Sequence, residues 1–122
     1  MIKIIYIEDN KDTAEAVKII LNNANFKTTT ASSGKEGLEL IDKNNFDLIL
    51  LDIMLPDMSG WDIFATLSNK GVKSKFAFLS AIPVSSERME ELKKAGVLDY
   101  ITKPFSKEDL INRIKRMLEK VN

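Results

Sequence analysis

The sequence contains no cysteine and no histidine. Without cysteine the chain forms no disulfide and no thiolate metal site, which fits the reducing cytoplasm that we expect as its location. Without histidine it lacks the commonest general base and the imidazole metal ligand, and it carries no phosphohistidine of its own. Any chemistry of this chain must therefore rest on carboxylates, hydroxyls and amines.

Neither sign of charge is in excess, because 18 Lys and Arg balance 18 Asp and Glu. A net charge of zero gives no sign of the positive charge excess that direct binding to nucleic acid or to a membrane surface requires. Acids interrupt the short N-terminal run MIKIIYIEDN, and no apolar run has transmembrane length, so we predict neither a signal peptide nor a membrane span. We expect residues 1–122 to form a single globular domain.

Five short apolar segments alternate with segments of helical periodicity along the chain. The predicted strands cover residues 3–7, 26–31, 47–51, 75–80 and 99–102. The predicted helices cover residues 12–24, 33–43, 61–69, 85–95 and 106 to about 120. Five successive βα units predict a doubly wound (βα)5 fold, in which a five-stranded parallel sheet has right-handed crossovers and helices on both faces.

Apolar spacing and capping patterns add detail to the helices. The predicted core face of the first helix comprises Ala16, Ile19, Ile20 and Asn23, widened by Ala14, Val17, Leu21 and Ala24. The last helix is predicted to bury Leu110, Ile111, Ile114, Met117 and Leu118. Predicted N-terminal capping pairs are Asp12 with Glu15, Ser33 with Glu36, and Ser106 with Asp109.

Polar side chains follow the predicted strands at their carboxyl ends. Glu8 and Asp9 follow the first strand, Asp52 follows the third, Ser80 ends the fourth and Lys103 follows the fifth. In a parallel sheet these ends share one edge, and ligands bind outside that edge near the point where the strand order reverses. If the first and third strands are neighbours, three carboxylates share one small pocket.

Three clustered carboxylates repel one another, and their pKa values rise unless a cation compensates them. Mg²⁺ suits such a pocket because it takes oxygen ligands and needs few carboxylates. Lys103 adds a positive charge and Ser80 adds a hydroxyl donor. Together these groups predict phosphoryl transfer, with the central carboxylate as a nucleophile that forms an acyl phosphate.

The pattern ED…D…SA…KP, together with the loop LDIMLPDMSG, resembles the receiver domain of two-component response regulators, the family of the chemotaxis regulator. The resemblance extends from residue 3 to about residue 120. It implies the flavodoxin-like strand order 2-1-3-4-5. Glu8 stands where aspartate is commoner in this family, and Met54 and Ile82 place apolar side chains where water would approach the phosphoryl group.

The resemblance also implies a role for each residue of the predicted site. Asp52 would accept a phosphoryl group from the phosphohistidine of a histidine kinase, and Ser80 and Tyr100 would act as the switch pair. Ser80 and Lys103 would engage the phosphoryl oxygens, and we predict a cis Lys103–Pro104 bond. The implied Mg²⁺ ligands are Glu8, Asp9, Asp52 and the backbone carbonyl of Met54.

The implied partners are a histidine kinase or phosphotransfer protein as donor, and a downstream protein or a covalently linked output domain as target. No direct nucleic-acid or membrane binding is expected. Phosphorylation would change the surface of the fourth helix, fifth strand and fifth helix, through which a phosphorylation-dependent homodimer is also possible. Such a protein is not an enzyme with a separate substrate, because it catalyses only its own phosphorylation and dephosphorylation.

Three alternative functions are compatible with the same doubly wound fold. A flavodoxin-like cofactor binder would place a flavin phosphate after the first strand, where the carboxylates of IEDN repel it. An aspartate-nucleophile phosphatase needs a second acid two residues after the nucleophile, where this chain has Met54. A receiver that binds partners without phosphorylation would not need the complete set of site residues.

Overall fold

The computed structural model describes residues 1–119, so the predicted end of the last helix near residue 120 lies outside the described residues. All the predicted elements are present, with bounds within two residues of those expected. The strands are β1 (Lys3–Ile7), β2 (Lys27–Ala31), β3 (Leu48–Leu51), β4 (Lys75–Ser80) and β5 (Val97–Thr102). The helices are α1 (Lys11–Asn23), α2 (Gly34–Lys43), α3 (Gly60–Asn69), α4 (Ser86–Ala95) and α5 (Lys107–Glu119).

The five strands form one parallel sheet in the order β2-β1-β3-β4-β5, as predicted. The short, polar strand β2, with the sequence KTTTA, forms one edge of the sheet, and β5 forms the other. β1 and β3 are neighbours, and Ile7 pairs with Leu51 at their carboxyl ends. The residues that follow these two strands therefore emerge side by side.

Helices cover both faces of the sheet, which explains why β1, β3 and β4 are nearly continuous apolar runs. Ile5 and Ile7 face a core shared with α2, α3 and α4, whereas Ile4 and Tyr6 face a core shared with α1 and α5. Full burial of each large aliphatic side chain contributes about 1.5–3 kcal/mol. Within residues 1–119, every helix is too short or too polar to span a lipid bilayer.

The predicted core face of α1 is confirmed in part: its widened side is buried, whereas the stripe predicted as its centre is rotated away from the sheet. Ala16 and Asn23 are exposed, and Ile19 is 51% exposed, while Ile20 is half-buried. Both stripes of α1 are apolar at helical spacing, so the periodicity alone does not distinguish them. The buried residues of α1 are Ala14, Val17 and Leu21, and Ile20 and Ala24 are partly buried against the same side of the sheet.

The predicted cap of α1 was also wrong, whereas the other two caps are confirmed. Asn10 begins α1, and its side-chain oxygen accepts a hydrogen bond from the Thr13 N–H at 2.9 Å. The chain turns into the helix directly after β1, so Asp12 already lies in the first turn. The hydroxyl oxygens of Ser33 and Ser106 each accept a bond from the amide three residues later, as predicted.

Gly60, the first residue of α3, packs directly against the backbone that carries Asp52. A Cβ atom at Gly60 would lie 2.2 Å from the Asp52 carbonyl oxygen and 3.1 Å from the Ile53 Cα. The Gly60 N–H also donates to the Ile53 carbonyl at 2.8 Å. Only glycine therefore allows α3 to begin this close to the end of β3.

We predict that Gly60→Ala lowers the free energy of unfolding by about 2 kcal/mol, because the added methyl group meets rigid backbone. Urea unfolding followed by circular dichroism measures this loss. Gly34→Ala is the matched control, since its added methyl group meets mainly the Met58 side chain, which can change rotamer. An equal loss in both variants would contradict the close backbone approach at Gly60.

Candidate functional site

Glu8, Asp9 and Asp52 meet at the carboxyl ends of β1 and β3. One carboxylate oxygen from each lies within 4.8 Å of the others. Glu8 is 3% exposed and Asp52 is 8% exposed, whereas Asp9 is open to solvent. Three carboxylate oxygens at this spacing fit a hard divalent cation with oxygen ligands, such as Mg²⁺.

Lys103, which follows the edge strand β5, reaches the same pocket. Its ammonium donates a hydrogen bond to Oε1 of Glu8 and lies 3.4 Å from Oδ2 of Asp52. Its backbone N–H donates to the Ser80 carbonyl at 2.9 Å, which ties the chain after β5 to the end of β4. The Lys103–Pro104 bond is cis, as predicted.

The Glu8 carboxylate is surrounded by hydrogen-bond donors. Burial acts to raise the pKa of Glu8, but the bonds from Lys103, from the Asn10 N–H and from the Tyr6 hydroxyl outweigh it, so this pKa lies below its ordinary value. The Asn10 bond is 3.1 Å long and the Tyr6 bond is 2.8 Å long. Glu8 is therefore a stable anion despite its burial.

At Asp52 the influences that raise the pKa outweigh those that lower it. Burial, followed by the charge of Glu8, raises the pKa of Asp52 above its ordinary value. The attraction of Lys103 and a 2.7 Å hydrogen bond from the Ile53 N–H oppose this rise without cancelling it. The charge of Lys103 thus compensates the ionised form of Asp52 only in part, and a further cation would stabilise it.

Ser80 and Tyr100 lie beside this pocket and are linked through Ile82. Ser80 is buried, and its hydroxyl oxygen accepts a 3.3 Å bond from the Ile82 N–H. The Tyr100 hydroxyl donates to the Ile82 carbonyl, and its ring is buried 6.0 Å from Phe78 and 6.4 Å from Trp61, measured between centroids. The Tyr100 ring therefore points inward in this structure, and its burial raises the pKa of the hydroxyl.

Two exposed apolar side chains follow Asp52 and Ser80 at a distance of two residues in the sequence. Met54 is 68% exposed and Ile82 is also exposed. Met54 pairs with Ser59 in an isolated antiparallel bridge, which closes the turn between β3 and α3. That these side chains stand where water would approach a phosphoryl group on Asp52 stays a prediction.

Two contacts of this region were missed in the sequence. Tyr6 is fully buried, and its hydroxyl bonds Glu8. The signal for this contact was their two-residue spacing at the end of an extended segment, which places both side chains on one side of the chain. Asp57 caps α2, because its oxygens accept from the Gly34 and Lys35 N–H groups at 2.9 Å each. These two bonds, Lys35 first, lower the pKa of Asp57. No local pattern signals this contact, since it joins two separate loops.

Comparison with known proteins agrees with this geometry. The family model of the response regulator receiver domain matches residues 4–115. The cell cycle response regulators CtrA of Brucella ovis and Brucella abortus are each 35% identical to this chain over 118 residues. That alignment covers 97% of this chain and 50% of each relative, so the chain spans about half the length of these curated relatives.

Solved structures share the same fold. The receiver domain of the Francisella response regulator 1452 is 34% identical, with a TM-score of 0.88 and 98% of both chains covered. The response regulator TrrA of Thermotoga maritima, solved in complex with Mg(2+)-BeF, is 26% identical, with a TM-score of 0.82 and coverage of 96% of this chain and 99% of that one. The order of the five strands, the acidic cluster and these matches lead to one conclusion: the chain belongs to the receiver domain family of two-component response regulators.

Proposed function

We propose that this chain is a phosphorylation-controlled signalling switch with Asp52 as its phosphoryl acceptor. The observation that carries the proposal is the buried Asp52 carboxylate, which lies beside the other two acids and 3.4 Å from the Lys103 ammonium at the carboxyl edge of the sheet. Its raised pKa supports the same assignment, because ionisable groups with shifted pKa values concentrate at functional sites.

The reaction is nucleophilic displacement at phosphorus. A carboxylate oxygen of Asp52 attacks the phosphorus of a phosphohistidine on the donor protein, the P–N bond breaks, and the imidazole leaves with a proton from solvent. Asp52 then carries an acyl phosphate, which water later hydrolyses to release phosphate. Catalysis of both steps comes from the positioning and charge of the surrounding groups.

Glu8, Asp9, Asp52 and the backbone carbonyl of Met54 would hold Mg²⁺ in this pocket. When bound, the ion neutralises negative charge on the phosphoryl oxygens. Two observations support this part of the proposal. The three carboxylates offer only oxygen ligands within 4.8 Å, and the structural neighbour TrrA was solved in complex with Mg(2+)-BeF.

Ser80 and Lys103 would engage the phosphoryl oxygens and couple them to the surface of α4, β5 and α5. Movement of Ser80 toward the phosphoryl group would change the segment that ends at Ile82, to which the Tyr100 hydroxyl is bonded. Because Tyr100 already points inward, phosphorylation would favour this arrangement over one with the ring outward. A ligand shifts such a balance only through better contacts with one of the two states.

The donor would be a histidine kinase or a phosphotransfer protein, since this chain has no histidine to phosphorylate. The target would be a separate protein or an output domain on the same chain, and the second choice is supported by relatives about twice as long. A homodimer through α4, β5 and α5 is a further possible output. We place this activity in the cytoplasm, with residues 1–122 acting as a single receiver domain.

The phosphatase alternative receives less support. Met54 occupies the position at which that chemistry needs a second acid, and a thioether cannot protonate a leaving group. Turnover is therefore limited to the acyl phosphate formed on Asp52 itself.

Asp52→Asn is expected to abolish phosphorylation, because an amide oxygen is a far weaker nucleophile than a carboxylate. The measurement is intact mass after incubation with Mg²⁺ and a small acyl phosphate, in which the natural protein gains one phosphoryl group. Asp47→Asn, next to the opposite end of β3, is the matched control and should be labelled normally. Normal labelling of Asp52→Asn would refute the assignment of the acceptor.

Asp9→Ala is expected to remove most of the stabilisation by Mg²⁺, because it deletes one of the three carboxylates. At about ten times its Kd, a bound ion adds about 1.4 kcal/mol to the free energy of unfolding. Thermal unfolding with and without Mg²⁺ measures the gain. Asp12→Ala removes an exposed acid from the first turn of α1 and should keep the full gain. If Asp9→Ala also kept it, the proposed ligand set would be wrong.

Lys103→Ala is expected to remain phosphorylatable with Mg²⁺ but to lose the long-range response. Amide NMR with and without beryllofluoride, a mimic of the phosphoryl group, reports that response. The natural protein and the control Lys107→Ala should show shifts near Asp52 and also around Ser80 and Tyr100. Shifts in Lys103→Ala should stay near Asp52, and equally extended shifts in all three proteins would exclude Lys103 from the coupling.

A further inference from the structure

The Tyr6 side chain lies in the middle of β1 with no exposed surface, yet it carries a polar hydroxyl. Its ring packs in the core between the sheet and helices α1 and α5. Its hydroxyl donates a 2.8 Å bond to Oε1 of Glu8, which comes two residues later, directly after the end of β1. Most buried tyrosine hydroxyls have such a partner, but this partner is a carboxylate of the acidic cluster.

Glu8 is held by one rigid donor at each oxygen. The Tyr6 hydroxyl is fixed by the packing of its ring, and it binds Oε1. The Asn10 N–H is part of the backbone at the start of α1, and it binds Oε2 at 3.1 Å. The third donor, Lys103, has a long side chain that also approaches Asp52, so it is the least rigid of the three. Tyr6 and Asn10 therefore set the orientation of the Glu8 carboxylate.

We propose that Tyr6 is a positioning residue for the divalent-cation site and acts through Glu8. The inference rests on the proposed function, because it takes Glu8 as a ligand of Mg²⁺. Glutamate has one more rotatable bond than aspartate, so a glutamate at this position gains more from an anchor. Loss of the hydroxyl would leave Oε1 of Glu8 to Lys103 alone, and a cation would have to compete with that ammonium for a carboxylate of less defined orientation.

The expected size of the effect follows from comparable metal sites. Removal of a residue that orients a metal ligand typically weakens metal binding by 10–100-fold. For a partly hydrated ion such as Mg²⁺ we expect the lower end, so Tyr6→Phe should raise the Kd by about tenfold. Phenylalanine keeps the aromatic ring, and therefore the packing against α1 and α5 should remain.

The experiment titrates the whole chain with Mg²⁺ alone and follows the backbone amide of Ile53 by NMR. Thr28→Val is the matched control, because it removes another buried hydroxyl from the neighbouring strand, one with no hydrogen-bond partner within residues 1–119. Tyr6→Phe should bind about tenfold more weakly, and Thr28→Val should bind like the natural protein. Urea unfolding without cation verifies that both variants fold, so that a change in Kd reports the site.

A second arm tests whether the effect passes through Glu8. Glu8→Asp shortens the side chain, so its carboxylate no longer reaches the Tyr6 hydroxyl. In that background, Tyr6→Phe should leave the Kd unchanged. Equal affinity of Tyr6→Phe and the natural protein would overturn the inference, and so would a tenfold loss that persists in the Glu8→Asp background. Failure of the natural protein itself to bind Mg²⁺ would overturn the metal site of the proposed function and this inference with it.

Discussion

The repulsion among Glu8, Asp9 and Asp52 is the constraint on which the rest of this structure depends. Two of the three acids are buried, and Lys103 places a positive side chain beside both of them. Lys103 lies 95 positions from Glu8 and 51 from Asp52 in the sequence. Its ammonium reaches both acids only when the sheet is complete from β1 to β5. The compensation of the clustered negative charge therefore depends on assembly of the whole fold.

The parallel sheet and its loops place these charged groups together. Parallel strands deliver all their following residues to one edge, and the neighbouring positions of β1 and β3 bring the acids together there. Gly60 then allows α3 to begin against the Asp52 backbone, and Asp57 ties the same loop to the start of α2. The loop that carries the Met54 carbonyl is thus held from two sides.

Most of the site could be predicted from the sequence, because strand ends in a (βα)5 pattern must share an edge. Glu8, Asp9, Asp52 and Lys103 were found in this way and lie in one pocket. The buried stripe of α1 was predicted only as the margin of a wider apolar face, since the two stripes have similar apolar content and only the packing against the sheet selects one. The contact between Tyr6 and Glu8 could not be predicted without knowing that Tyr6 is buried. A buried tyrosine hydroxyl needs a hydrogen-bond partner, and Glu8 lies on the same side of the chain.

The edge strand β2 has a consequence for association between molecules. Open strand edges offer unpaired N–H and C=O groups that can template pairing with another chain. In β2 this edge is five residues long, begins with the exposed Lys27 and continues with three threonines. A charged, short and weakly apolar edge disfavours the growth of one sheet onto the next. The β2 edge therefore protects this side of the sheet against pairing with a second molecule.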